Sequence, residues 1–149
     1  GLAAIAVAWS ILPGFAAMGP QTAQGRLVTE APLWALPAAA GIYAFFQTAW
    51  WEELLFRGIL ARRLMEALGA WPGNLVQALL FTGLHNLLFA LLAPGNPWAQ
   101  LFVVALVLPT SVFNGWYIHQ RDPDSFVGTW MVHAGANLGA IGAYALLLP

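Results

Sequence analysis

NLVQALLFTGLHNLLFALL, residues 74–92, contains no charged side chain. At ~1.5 Å per residue it is long enough to cross ~30 Å of hydrocarbon as one helix. The rest of the chain shares its character. Of the 149 residues 60% are apolar and 7% are charged, whereas a soluble domain is about 25% charged. Such a chain cannot clothe a water-facing surface, so membrane residence follows.

Outward from residues 74–92, the apolar stretches predict an all-α fold, a polytopic transmembrane helix bundle of about five spans in one membrane domain, 1–149. The first span is Leu2 to Met18, interrupted by Pro13, followed by a polar connector, Gly19 to Glu30. A long helix, Trp34 to Leu68, bends near Pro37 and ends at Gly69, Pro72 and Gly73. The third span is Asn74 to Leu92. The fourth, Trp98 to His119, should kink at Pro109, and the fifth runs from Ser125 to Leu148. Arg62, Arg63 and Arg121 then share one side of the membrane against Arg26 on the other, which makes that side cytoplasmic. The chain begins at Gly1 rather than Met, as an excerpt of a longer protein would.

Composition also excludes. Five Arg, no Lys and no basic tract leave nothing to neutralise a phosphate backbone, so nucleic acid is not an expected partner. Cysteine is absent, which removes disulfides and thiolate nucleophiles.

Polar groups inside the spans carry the functional signal, because an ionisable group at a helix centre costs ~2.5–3.5 kcal/mol on insertion scales. Glu53 and Arg57 are four apart and can pair on one helix face. Glu52 lies about 100° round from Glu53, on a small-residue stripe with Gly41, Ala44 and Thr48, and is expected to point into the bundle. The competing reading makes Trp50 and Trp51 an aromatic belt, with both acids in headgroup water. His85 shares a stripe with Asn74, Ala78 and Phe81, where a lone His is commonly a packing residue. His133 and Asn137 share a face with Thr129, Ala140 and Tyr144, and a structural pair is the alternative there. Gly135 and Gly139 read as ordinary helix packing. Thr110, Ser111 and Asn114 flank Pro109, where hydroxyls help satisfy the broken backbone; His119 receives no role. One inward, water-accessible cluster accounts for Glu52, Glu53, Arg57, His85, His133 and Asn137 together.

EELLFRG at 52–58, FTGLH at 81–85 and HAGAN at 133–137 occur in order on successive spans. They resemble the EExxxR, FxxxH and HxxxN motifs of the CPBP family, the CAAX-protease and bacteriocin-processing peptidases also called Abi proteins. The resemblance covers residues 34–149, a catalytic core, and implies an eight-helix class of membrane peptidase, of which about five spans are present. It implies that Glu52 is the general base for the hydrolytic water and that His85 holds and polarises that water. His133 and Asn137 would stabilise the oxyanion, while Glu53 and Arg57 orient the helix. The expected substrate is a hydrophobic, lipidated or membrane-anchored peptide or protein, cut in a bacterial cytoplasmic membrane.

Amide hydrolysis needs a base beside the water and donors aimed at the developing oxyanion, which suits this set. Glu52, His85 and His133 are also candidate ligands of a His₂Glu metal site, although their spacing is not HExxH. The expectation is a glutamate mechanism with no required cofactor; the alternative is a divalent metal such as zinc. Two rival functions remain at this level: an ion- or proton-coupled transporter, and a non-catalytic immunity or scaffold protein.

Overall fold

The computed structural model describes residues 16, 19–92, 94, 95 and 97–147. Every element among them is helical, as expected. A 3₁₀ turn, Gly19–Gln21, leads into α1, Ala23–Glu30, whose first turn is capped by the Thr22 hydroxyl accepting from the Gly25 N–H at 3.0 Å. The long helix α2 (36–68) is continuous through Leu36–Ile42, Tyr43–Ala49, Trp50–Glu53, Leu54–Ala61 and Arg62–Leu68. Then come α3, Ala70–Leu92, α4, Pro97–Arg121, and α5, Val127–Leu147.

Two local expectations change. Pro37 lies in the first turn of α2 and starts the helix instead of bending it, because its missing N–H has no partner there anyway. The irregularity sits further along, where Tyr43–Ala49 and Leu54–Ala61 are π-helical. Pro72 and Gly73 belong to the first turn of α3; the stop itself is Gly69 at φ 90, a left-handed conformation that favours glycine. In α4 the helix runs unbroken through Pro109.

Two helices among the described residues are long and apolar enough to cross a membrane: α3 and the Gln100–Arg121 part of α4. The expected first span lies outside the described residues. Helix α2 gathers Glu52, Glu53, Arg57, Arg62, Arg63 and Glu66, too many charges for a simple span. In α5 the polar His133 and Asn137 and several glycines dilute the apolarity. The outer face of α3 still presents Leu79, Leu84, Leu87 and Leu91, each about half exposed or more, as a lipid-facing helix does.

Close packing fixes the pairing of α2, α3 and α4. A Cβ on Gly73 would strike the backbone of Leu64 and Met65, so α3 touches the last turns of α2 without a side chain between. Gly73→Ala is therefore expected to destabilise the chain by about 1–3 kcal/mol, read as a lowered melting midpoint in detergent; an unchanged midpoint contradicts this packing. A polar seam joins α3 to α4. Asn74 Nδ2 donates to the Val112 carbonyl at 2.9 Å, and Gln77 Nε2 donates to the Ser111 carbonyl at 3.0 Å. Gly115 leaves room for Asn74 in that seam. Arg62 Nη2 donates to the Ser125 carbonyl at 2.9 Å, tying the end of α2 to the turn before α5. Among the described residues, a Cβ added at Gly135 or Gly139 would meet nothing within 4 Å, so no described helix packs closely against either glycine.

Candidate active site

Helix α5 docks on α2 through three polar contacts at successive turns. Trp130 Nε1 donates to the Phe45 carbonyl at 2.7 Å. That oxygen also accepts the Trp50 N–H, five residues ahead, so the π-turn presents a carbonyl that α5 can reach. His133 Nδ1 lies 2.8 Å from Glu53 Oε1, and Asn137 Nδ2 donates to Thr48 Oγ1 at 2.8 Å. Of the stripe Gly41, Ala44, Thr48 and Glu52, Thr48 and Glu52 face α5 through Asn137 and His133, while a Cβ added at Gly41 would meet no described atom within 4 Å. Trp50, half-buried, packs edge-on against Phe126 and Trp130 at 5.2 and 5.1 Å, whereas Trp51 is exposed.

The two adjacent acids have different surroundings. Glu53 is 0% exposed, and its Oε1 pairs with Arg57 Nη1 at 3.0 Å as well as with His133. Arg57, 1% exposed, donates from Nη2 to Ser111 Oγ at 2.8 Å and lies 4.2 Å over the Phe81 ring. Glu52 is about one-third exposed, yet its Oε2 is buried and has no hydrogen-bond partner. That oxygen stands 3.6 Å from His85 Nε2 and 3.7 Å from His133 Nε2. Sequence geometry separates the acids and gives them different targets. In the fold both reach His133, one at each ring nitrogen, because the long carboxylate arms and the opposed edges of the imidazole span the helical offset.

Both imidazoles are oriented from behind. His85 Nδ1 lies 2.9 Å from the Phe81 carbonyl, which can only accept, so Nδ1 carries the proton. His133 Nδ1 faces the Glu53 carboxylate, which fixes the same tautomer by the same argument. Each ring therefore turns Nε2 toward Glu52. All six residues singled out from the sequence come together: Glu52, Glu53, Arg57, His85, His133 and Asn137. Among the described residues no group of three or more His, Asp or Glu is spaced as a metal site.

A cavity of about 220 Å³ runs beside this cluster. His85, His133 and Asn137 border it, Phe89, Phe102 and Tyr144 wall one end, and Arg57 lies with Ser111 toward the other. Glu53 lines it, whereas Glu52 does not and stands beside His85 and His133, which do. Sequence reasoning misplaced Ser111. Its hydroxyl does not repair the proline break; it receives Arg57 from across the bundle. Only Thr110 bonds back to its own helix, to the Leu106 carbonyl at 2.7 Å. The missed signal was the buried cation of Arg57, which needs an acceptor beyond Glu53.

The family model of the type II CAAX prenyl endopeptidase Rce1-like proteins matches residues 34–139. The chain belongs to this family. The match takes in α2, α3, α4 and most of α5, and with them every residue of the cluster. Rce1-like proteins are membrane-integral proteases acting on prenylated, membrane-anchored proteins, and α3 and α4 fit that setting. No curated protein and no solved structure matches the chain.

Proposed function

We propose that the chain is an intramembrane endopeptidase that cuts one peptide bond of a prenylated or otherwise membrane-anchored substrate, using water activated by Glu52. The observation that carries this reading is the contrast between neighbouring carboxylates. Each acid keeps one buried oxygen without a hydrogen-bond partner, but Glu53 is tied through its other oxygen to Arg57 and His133, whereas the unpartnered Glu52 Oε2 is the one that faces the Nε2 atoms of both imidazoles. Separations of 3.6 and 3.7 Å are too long for direct hydrogen bonds and suit groups that share one water.

In the proposed step, that water gives one hydrogen bond to Glu52 Oε2 and one to His85 Nε2, leaving an oxygen lone pair for the scissile carbonyl. As the C–O bond forms, the proton passes to Glu52 and negative charge develops on the carbonyl oxygen. Asn137 has a second Nδ2 proton beyond the one held by Thr48, and can donate it to that oxygen. His133, its Nδ1 held by the Glu53 carboxylate, keeps Nε2 turned toward the same site. Collapse breaks the C–N bond, and Glu52 returns its proton to the leaving amine.

The test uses the purified chain in lipid vesicles with a farnesylated peptide ending in a CAAX sequence, its products identified by mass spectrometry. Cleavage at a single bond supports the reading; charge-coupled ion flux without cleavage overturns it. Metal dependence has its own outcome. Exhaustive chelation, checked by metal analysis, is expected to leave the rate within about twofold, because the base is a carboxylate and its partners are held by protein groups. Strict recovery by added zinc would contradict a metal-free step.

A further inference from the structure

The α3–α4 seam satisfies most of its buried polar atoms. Asn74 and Gln77 donate to carbonyls of α4, and Ser111 receives Arg57. Asn114, one turn beyond Ser111 and 1% exposed, is an exception: its Oδ1 is buried without a hydrogen-bond partner. Leaving a carbonyl oxygen so costs about 1–3 kcal/mol, a cost a fold retains where something else supplies the donor. Gln77, Thr82 and Asn86 also carry a buried, unpartnered atom, but none of them lines the cavity. Among the described residues, Asn114 is the neutral side chain that combines both properties.

Its place along the cavity is informative. Phe102 and Asn114 are separated by ~18 Å of α4 at ~1.5 Å per residue, and both border the cavity. The Phe102 end, with Phe89 and Tyr144, is mainly apolar, with the Thr22 hydroxyl against Tyr144. The Asn114 end, with Ser111 and Arg57, is polar. His85 and His133 lie between the two ends.

We propose that Asn114 is a substrate-positioning residue, whose side-chain carbonyl accepts a backbone N–H of the bound peptide on the opposite side of the scissile bond from its apolar group. This rests on the endopeptidase reading and adds a direction to it: apolar group toward Tyr144, peptide amide toward Asn114. The contact is made equally in the ground and transition states, so it acts on KM and leaves kcat unchanged.

The test is a KM and kcat comparison of the wild-type chain and Asn114→Leu in vesicles. The substrates are the farnesylated CAAX peptide and its single N-methyl derivatives, one for each backbone amide. One N-methyl position is expected to raise the wild-type KM about three- to tenfold, as loss of one hydrogen bond would. Asn114→Leu raises the KM of the unmodified peptide by a similar factor, with kcat within twofold, and then shows no further penalty at that position. Should Asn114→Leu fail to fold, Asn114→Ala carries the same comparison. An unchanged KM in the variant, or an N-methyl penalty that persists in full, overturns the proposal while leaving the endopeptidase reading intact. Failure of the wild-type chain to cleave the unmodified peptide sinks that reading and this one with it.

Discussion

Glu52→Gln is expected to lower kcat on the farnesylated peptide by about 10²–10⁴-fold, the usual contribution of a positioned general base. The amide keeps the shape of the side chain but cannot take a proton from water. The change should leave the melting midpoint where it was, since Glu52 makes no hydrogen bond at the oxygen facing the imidazoles and one-third of the side chain is exposed. That separation of rate from stability is the diagnostic. A variant retaining wild-type turnover would remove Glu52 from the chemistry, and the non-catalytic scaffold reading predicts that result.

Arg57→Leu should act the other way, on stability first. Its removal strands the Glu53 carboxylate at 0% exposure and leaves Ser111 without its donor. Breaking a buried pair by deleting one partner costs about 3–5 kcal/mol. Denaturant titration of the detergent-solubilised protein should show a loss of this order, or no folded variant at all. Arg57→Lys should recover little, because a single ammonium cannot reach Glu53 and Ser111 together while stacking on Phe81. Adding Glu53→Leu to Arg57→Leu should restore much of the stability, since no uncompensated charge then remains. Activity should not return, because His133 still lacks the carboxylate that orients Nδ1. A double variant as active as wild type would show that the pair has no part in holding the imidazole.

These predictions rest on contacts of which some were legible in the sequence. The Glu53–Arg57 pair follows from four-residue spacing, and the inward face of α5 follows from His133 and Asn137 lying one turn apart. The membrane setting follows from charge-poor stretches such as residues 74–92, and the three motifs point to the family that the matched region identifies. Partners across helices were not legible. Nothing local says that Asn137 meets Thr48, or that Ser111 meets Arg57, because those contacts depend on how α5 and α4 lie against α2. The π-helical turns of α2 escaped for a related reason: they change the angle between successive side chains without any proline or glycine to announce it. Of the five spans expected from apolarity, α3 and α4 are long and apolar enough to cross a membrane, while α2 and α5 carry the polar groups of the site.

The central claim is that Glu52 and His85 act on one shared water, and a double-mutant cycle measures it directly. Rates of wild type, Glu52→Gln, His85→Ala and the double variant would be compared on the farnesylated peptide. Residues acting as a unit give non-additive losses, so the double variant should be about as slow as the worse single variant. Multiplicative losses, with each residue contributing independently of the other, would contradict the shared water.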